Sequence, residues 1–449
     1  MNKNNAFEKY NIYQLPLEEE YGRDDVFLIY APVAGNMMIA SVTECQQLKH
    51  LIDHPSEASD DMAAVIESLT VGTPADKRDS TVQQPDDFLR MYILPNYTCN
   101  FSCSYCFSAK GRSKGVLKKE HLRSVLDFFI NSKRVQTDRL AISYLGGGEP
   151  TISWDVVKYG LEYADERSRQ HGIRMMTTLV TNGSVINQEM VDTFRRFDVH
   201  PRISFEILEE IQNKQRGQYA NVCRGIDMLC QGGVTTMVRS MITPDNVELM
   251  PRMIQQLHNR FPQIKSVLFD PITSSETFAV PEPTRRFYDS YFDCFLEARQ
   301  LAANYGIDLG CTPLRNLDMV VERFCTGEFC VTPKGTITIC HQVSSPLEKH
   351  YEDCVYARIG DDGSLLINHA KFARLIEKYT IYSQPRCRNC FIKWNCGGGC
   401  MMQNNQYSED ILDVICDFTR RFSKHLLLER LANTYAADGE SLEETIKSY

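Results

Sequence analysis

The sequence lacks three features that would each assign the chain to a class. No stretch is apolar over the ~18 residues that a membrane-spanning helix requires. The first ten residues, MNKNNAFEKY, lack the apolar run of a secretory signal. No basic run is present, and the net charge is −9, from 49 basic and 58 acidic side chains. These absences argue against nucleic acid or a membrane as a partner and predict a cytoplasmic protein.

Cysteine is the residue type that departs from an ordinary composition. The chain has 449 residues, 43% hydrophobic and 24% charged, which is typical of a globular protein of two to four domains. It carries 17 cysteines, and in a reducing compartment these indicate metal or redox chemistry rather than disulfides. Four lie in helix-like stretches without ligand spacing and are predicted to be small buried side chains. They are Cys45, Cys223, Cys230 and Cys294.

Residues 1–86 differ in pattern from the rest of the chain. Residues 27–41 read as two strands around a Gly-Asn turn. Residues 42–53 and 61–69 read as short amphipathic helices, and 70–87 as a polar linker. This pattern predicts a small N-terminal α+β domain.

Residues 87–310 repeat a strand followed by a helix six times. The predicted helices are 118–134, 153–172, 187–198, 219–233, 247–261 and 284–306. Such units imply an α/β fold with a parallel sheet and outer helices. Six units are too few for a closed eight-fold barrel, so a partial (β/α)6 barrel is expected, with catalytic groups at the carboxyl ends of its strands.

The pattern changes again after residue 310. Residues 311–420 are rich in cysteine and glycine and have short predicted strands. A last helix is predicted over 411–435, within a C-terminal segment, 421–449, whose polar tail is expected to fray.

The first cysteine cluster lies in the loop after the first barrel strand. Cys99, Cys103 and Cys106 have the spacing C-x3-C-x2-C, which a chain of this composition contains about 0.02 times by chance. Thiolates are the ligands of iron–sulfur clusters. Three thiolates on a [4Fe–4S] cluster leave one iron open for an incoming ligand. A zinc site is the alternative.

This cluster, with an aromatic residue before its last cysteine, resembles the signature of radical SAM enzymes. The resemblance implies that S-adenosylmethionine (SAM) binds the open iron. One electron from the reduced cluster then cleaves SAM, and the resulting 5′-deoxyadenosyl radical abstracts a hydrogen atom. The implied SAM contacts are Tyr105, the Gly147, Gly148 and Glu149 of a GGE motif, Asn182, Ser204, Arg216 and Arg239. Arg239 and Ser240 are expected at the end of the fifth barrel strand. Glu206 stands where relatives often carry Asp, which leaves the contacts of that loop open.

A second cysteine region resembles the SPASM domain. Nine residues separate Cys325 from Gly335, and four separate Gly335 from Cys340. A block C-x2-C-x5-C-x3-C comes next, which chance would produce about 0.001 times. The resemblance implies two auxiliary [4Fe–4S] clusters, one on Cys325, Cys340 and Cys400 and one on Cys387, Cys390, Cys396 and Cys416.

The fourth ligand of the first auxiliary cluster stays open at this point. Cys311 and Cys330 are both candidates, and an iron without a protein ligand is the third possibility. Cys354 is expected to be a strand residue. A rubredoxin-like iron or zinc site over the four-cysteine block is the alternative to a cluster there.

SPASM domains are associated with radical SAM enzymes that modify peptides. The resemblance implies a maturase that crosslinks a ribosomally made peptide through a thioether, C–C or C–O bond, with a flavodoxin- or ferredoxin-type reductant. Residues 1–86 resemble domains that bind a leader peptide as an added edge strand.

Two other functions remain as alternatives. Anaerobic sulfatase-maturating enzymes share the barrel and clusters, but His341 stands where their proposed base is Asp. A multi-cluster electron-transfer protein is the non-enzymatic alternative, and it has no need of the GGE segment.

Overall fold

The computed structural model describes residues 6–71 and 82–449. Part of the predicted linker, residues 72–81, lies outside the described residues. Within them, the strands β1 to β14 are Tyr13–Leu17, Arg23–Ala31, Asn36–Ser41, Arg90–Ile93, Arg139–Tyr144, Arg174–Thr181, Val199–Ser204, Met237–Ile242, Ser266–Pro271, Asp308–Gly310, Phe329–Val331, Thr336–Thr338, Val355–Ile359 and Leu365–Ile367.

Helices follow most of these strands. The α-helices, α1 to α18, are Ala6–Lys9, Glu18–Tyr21, Val42–Asp53, Asp60–Thr70, Lys119–Phe129, Trp154–His171, Gln188–Arg196, Glu209–Gln215, Tyr219–Gln231, Met250–Arg260, Pro281–Asn304, Thr312–Asn316, Tyr351–Cys354, His369–Glu377, Lys393–Cys396, Met401–Gln406, Glu409–Ala437 and Leu442–Ser448. Short 3-10 turns lie at Pro55–Glu57, Pro85–Asp87, Ala109–Gly111, Pro150–Ser153, Val247–Leu249 and Pro385–Cys387.

The main sheet contains the six predicted strand–helix units. Strands β4 to β10 lie side by side in chain order, and every pair is parallel. Each crossover between β4 and β9 carries a helix, as parallel neighbours require. The predicted α/β architecture with a large parallel sheet is confirmed, and β10 adds a seventh strand that the sequence analysis does not predict.

The cysteine-rich segment extends this same sheet. Strand β11 pairs in parallel with β4, and β12, β13 and β14 then add antiparallel strands to give eleven in all. The long helix α17 continues without a break through residue 420, where the sequence analysis places a domain boundary.

The N-terminal strands form a separate antiparallel sheet in the order β1-β2-β3. The predicted hairpin at 27–41 is present, with Gly35 at φ 75° in its turn. Strand β1 is a third strand that the sequence analysis does not predict. Ser41 caps the N-terminus of helix α3, and its side chain accepts from the Glu44 N–H in a capping box.

Two helix predictions need correction. The helix predicted over 118–134 ends at Phe129, because the Arg134 guanidinium turns back and donates to the Phe129 carbonyl at 2.8 Å. The C-terminal tail, expected to fray, forms helix α18, and Leu442 and Ile446 are buried there. No helix in residues 6–71 and 82–449 combines the length and the apolar composition needed to cross a bilayer.

Candidate active site

A cavity of about 630 Å³ opens at the carboxyl ends of the parallel strands. Its wall runs from the loop after β4 to β9, and is completed by the cysteine-rich segment and by helix α17. Predicted site residues that line it are Cys99, Cys103, Tyr105, Cys106, Gly147, Gly148, Glu149, Asn182, Ser204, Arg216, Arg239, Cys387, Cys390, Cys396, Cys400 and Cys416. Residues from the two cysteine regions therefore share one cavity.

The loop after β4 brings together the first thiol group, Cys99, Cys103 and Cys106. The Phe101 N–H donates to the Cys99 sulfur at 3.4 Å, and Arg112 donates to the Cys106 sulfur at 3.3 Å. Burial raises the pKa of the Cys99 and Cys103 thiols. Cys106 adds to the rise at Cys99, and Cys106 and Cys99 both add to the rise at Cys103, so the three thiols lie near one another.

The glycine run after β5 packs directly beneath this loop. The Gly148 N–H donates to the Asn96 carbonyl at 3.1 Å, and the Glu149 N–H donates to the Thr98 carbonyl at 2.8 Å. A Cβ at Gly148 would lie 2.1 Å from the Thr98 oxygen, and one at Gly147 would lie 2.9 Å from the Tyr97 ring. Both positions therefore require glycine for close backbone approach.

Glu149 is buried and heavily hydrogen-bonded. Its Oε1 accepts from the Thr151 N–H at 3.1 Å and from the hydroxyls of Thr151 and Thr181 at 2.6 Å each. Its Oε2 accepts one hydrogen bond from the described residues, which comes from the Asn182 N–H at 2.8 Å. The Asn182 side chain in turn donates to Asn100 Oδ1 at 2.8 Å. Glu149 therefore joins the ends of β5 and β6 to the cysteine loop.

The loop after β7 forms a buried polar network around Glu206. Its carboxylate accepts from the Ser240 hydroxyl at 2.5 Å, from the Met241 N–H at 3.1 Å and from the Tyr105 hydroxyl. Arg216 donates to the same hydroxyl at 2.8 Å and lies 3.8 Å from Glu206. Burial raises the pKa of Glu206. Glu206 thus positions Tyr105 and Arg216, a role the sequence analysis does not predict.

Strand β8 differs from its prediction. Arg239 and Ser240 lie inside Met237–Ile242 rather than at its end, because the strand continues for two further residues. Ser240 is fully buried against Glu206, whereas Arg239 lines the cavity and pairs with Asp270 at 3.2 Å. Ser204 ends β7 as predicted and is the register partner of Arg239.

Cys325, Cys340 and Cys400 form a second thiol group. Burial raises the pKa of Cys325 to about 12, and Glu328 and Cys400 add to the rise. Burial, Glu328, Cys325 and Cys400 likewise raise the pKa of Cys340. The structure therefore places Cys400 beside a pair of thiols far from it in sequence.

Cys387, Cys390, Cys396 and Cys416 form a third thiol group. Burial raises the pKa of Cys387 to about 11, and Cys390 and Cys416 add to the rise. The pKa of Cys396 is raised by burial and by all three other thiols. Cys416 reaches this group from helix α17.

Three further cysteines were weighed as ligands or as strand residues. Cys311 is fully buried at the start of helix α12. Cys330 is fully buried in β11 and packs with Leu94 and Leu145. Cys354 ends helix α13 instead of lying in a strand.

The four cysteines expected to be structural all lie on helices. Cys45 and Cys223 are buried, as the sequence analysis predicts. Cys230 and Cys294 are only partly buried, because they lie toward the outer side of α9 and α11.

His341 and Glu328 form a pair at the cavity wall. The His341 ring nitrogen Nδ1 lies 2.7 Å from Glu328 Oε1, and the His341 backbone N–H donates to Oε2 at 2.6 Å. Burial lowers the pKa of His341, but the Glu328 carboxylate offsets this and raises it overall. The ring stacks on Tyr92 at a centroid distance of 6.1 Å. Glu328 was not predicted from the sequence, where its one signal is its position three residues after Cys325.

Comparisons with known proteins show what the chain is similar to. Residues 93–257 match the family model of the Radical SAM superfamily. Over 279 residues the chain is 23% identical to a cysteine-type anaerobic sulfatase-maturating enzyme of Clostridium novyi, covering 56% of this chain and 73% of that enzyme. A radical SAM cyclopropyl synthase, TigE of Paramaledivibacter caminithermalis, is 20% identical over 143 residues, 29% of each chain.

Two groups of solved structures share the fold. Native anSMEcpe with bound AdoMet and Kp18Cys peptide has a TM-score of 0.61 and 16% identity, covering 77% of this chain and 99% of that one. Streptococcus suis SuiB bound to precursor peptide SuiA has a TM-score of 0.50 and 13% identity, covering 89% and 98%.

The family match implies SAM and a [4Fe–4S] cluster, and the residues present fit both. Three thiols without a disulfide converge on the cavity, as a cluster with one open iron requires. Arg216 keeps a buried Nε without a hydrogen-bond partner, beside the same cavity. Residues 93–257 are therefore similar to the Radical SAM superfamily, and the residues at the cavity fit the cofactors of that family.

Proposed function

We propose that this enzyme modifies a ribosomally made peptide by forming an intrapeptide thioether, C–C or C–O crosslink. The observation that carries the proposal is the shared cavity, whose wall holds the first thiol group and also Cys387, Cys390 and Cys400 of the other two. A cavity of about 630 Å³ has room for a small ligand and part of a peptide. The structures of anSMEcpe and SuiB, both described with bound peptides, support a peptide substrate.

The first thiol group would hold the cluster that binds SAM. When both are bound, the cluster and SAM would supply a 5′-deoxyadenosyl radical, which abstracts a hydrogen atom from the substrate. The residues proposed to hold SAM are Tyr105, Gly147, Gly148, Glu149, Asn182, Ser204, Arg216 and Arg239. Glu149 Oε2 accepts a single hydrogen bond and so has capacity for the SAM ammonium group. Ser204 and Arg216 would contact SAM, and the Arg239 guanidinium, which lines the cavity, would bind the SAM carboxylate.

The second and third thiol groups would hold two auxiliary [4Fe–4S] clusters in a SPASM domain over 311–420. The grouping of Cys400 with Cys325 and Cys340 supports this assignment. A crosslink removes two hydrogen atoms from the peptide. One leaves by hydrogen-atom abstraction, so the peptide must then lose one electron and one proton as the new bond forms. The third thiol group lies on the cavity wall, where its cluster would accept that electron.

The N-terminal domain, 1–86, is proposed to bind the leader peptide. Within the described residues β3 pairs only with β2, which leaves one edge for strand addition. The Tyr449 hydroxyl donates to the Ile39 carbonyl at 3.3 Å on this strand. Residues 421–449 would therefore flank the leader site. A flavodoxin or ferredoxin would supply the electron that cleaves SAM.

Anaerobic turnover tests the radical chemistry. Reconstituted protein with SAM and dithionite should release 5′-deoxyadenosine, and a variant with Cys99, Cys103 and Cys106 all changed to alanine should release none. A pure electron-transfer protein would release none in either form. Co-expression with a small open reading frame encoded beside the gene should then lower the mass of its peptide by about 2 units, as a crosslink requires.

Protein modification of the sulfatase-maturating type is the second candidate. The identity to the Clostridium novyi enzyme favours it, whereas His341 at the position of the expected Asp disfavours it. A peptide carrying a sulfatase maturation sequence separates the two functions. Its modification by the reconstituted enzyme, with no change in the neighbouring peptide, would replace the crosslinking proposal.

A further inference from the structure

Glu328 is an acidic side chain placed among the thiols of the second group. It lies in the segment between Cys325 and strand β11, and its side chain is only 11% exposed. A carboxylate oxygen of Glu328 lies within 4.8 Å of the Cys340 sulfur. The carboxylate therefore lies beside the second thiol group.

The neighbours of Glu328 hold it in that position. Ligand atoms of Glu328, Cys340 and His341 all lie within 4.8 Å of one another. The carboxylate receives the backbone N–H of His341 at 2.6 Å and contacts its ring nitrogen at 2.7 and 3.0 Å. A carboxylate has about four acceptor positions, so these bonds leave capacity for a metal. Hydrogen bonds of this kind typically orient a metal-binding carboxylate.

The two cysteines that the sequence offers as a fourth ligand are less well placed. Cys311 is fully buried at the start of helix α12. Cys330 is fully buried inside the sheet, as the register partner of Thr338, and packs with Leu94 and Leu145. Moving either thiol to the second group would disrupt buried packing, whereas Glu328 already lies beside Cys340.

We infer that a carboxylate oxygen of Glu328 is the fourth protein ligand of the cluster on Cys325, Cys340 and Cys400. The inference rests on the proposed function, which places a [4Fe–4S] cluster on this thiol group. Carboxylates are harder ligands than thiolates. When the Glu328 carboxylate is removed, the iron that it would bind is therefore the iron most easily lost from the cluster.

The test uses full-length protein in which Cys99, Cys103 and Cys106 are alanine, so that the SAM cluster is absent. This parent is reconstituted anaerobically, oxidised mildly, and its three-iron cluster signal is measured by EPR. Glu328→Ala should raise that signal about tenfold or more, and Glu328→Cys should return it to the parent level. Glu328→Gln repeats the test if the alanine variant unfolds.

The controls separate ligation from a general effect. Glu322→Gln removes an exposed acid three residues before Cys325 and should leave the signal unchanged. Cys311→Ser and Cys330→Ser should also leave it unchanged, and a rise in either would overturn the inference. An unchanged signal in Glu328→Ala would overturn it too. A parent with no iron beyond that of the third thiol group would instead refute the proposed second cluster.

Discussion

The imidazole of His341 lies edge-on against the phenyl ring of Phe107, with ring centroids 5.7 Å apart and planes at 74°. Phe107 comes directly after the last cysteine of the first thiol group, and His341 directly after Cys340 of the second. The loop that would bind the SAM cluster therefore contacts the segment that would bind an auxiliary cluster. A displacement of either loop should therefore shift the other, because closely packed aromatic side chains transmit displacement.

Gly148→Ala should disrupt the first thiol group. The added Cβ would lie 2.1 Å from the Thr98 oxygen and 2.2 Å from Asn96 Oδ1, so the backbone before Cys99 must move. We expect a loss of about 1–3 kcal/mol in the free energy of unfolding and less iron at this site, measured by urea unfolding and iron analysis. Gly360→Ala is the control, because its Cβ would meet only flexible side-chain ends. Equal iron content in both variants would contradict the prediction.

Glu206→Gln should destabilise the apo protein. The substitution leaves the buried guanidinium of Arg216 without its anionic partner. Removing one member of a buried pair costs about 3 kcal/mol or more, which thermal and urea unfolding would show. Glu209→Gln, at an exposed position three residues later, is the matched control. Similar melting curves for the two variants would show that Glu206 does not hold this network.

Cys400→Ala and Cys340→Ala should remove the same cluster. Since both thiols belong to the second group, the double variant should lose no more iron than either single variant. Cys416→Ala removes a ligand of the third group, so combining it with Cys340→Ala should give additive losses. Iron and sulfide analysis with EPR checks this. Additive losses for Cys340 and Cys400 would assign them to different clusters.

Tyr30→Phe should loosen the N-terminal domain from the cysteine-rich segment. The Tyr30 hydroxyl donates to Asn395 Oδ1 at 2.9 Å, and both side chains are buried. Leaving the amide oxygen unpaired costs about 1–3 kcal/mol, which hydrogen exchange of strand β2 would detect. Tyr379→Phe removes a comparable but exposed bond to Asn405 and should cost less than about 0.5 kcal/mol.

Ile446→Ala should lower the melting temperature, although the residue lies close to the end of the chain. Its side chain is only 1% exposed, and its carbonyl accepts from Arg23 at 3.0 Å. Truncating such a buried side chain costs about 2 kcal/mol. The neighbouring Lys447→Ala, at an exposed position, should have almost no effect. An Ile446→Ala melt identical to that of the native chain would mean that α18 does not pack as the structure shows.

The tail shows why some local predictions failed. Residues 438–449 are polar on average, so composition indicates a frayed end. Two apolar side chains, Leu442 and Ile446, lie one turn apart on the same helix face and are buried. The prediction of a helix over 118–134 was wrong at its C-terminal end for a related reason. The Arg134 side chain donates to the Phe129 carbonyl, and this contact depends on the folded chain rather than on helix propensity.

Features that depend on short-range spacing could be predicted from the amino-acid sequence alone. Three cysteines within eight residues must lie close together in any loop, and alternating strand and helix patterns require a parallel sheet. The resemblance of the cysteine and GGE motifs to those of radical SAM enzymes extended the prediction to SAM and to the residues that contact it. The meeting of distant groups became visible only in the folded chain: Cys400 near Cys340, sixty residues earlier, Glu206 bonded to Tyr105, and Glu328 beside Cys340 and His341. The physical reason is that contacts between distant segments depend on the path of the whole chain, which local propensity and spacing do not encode.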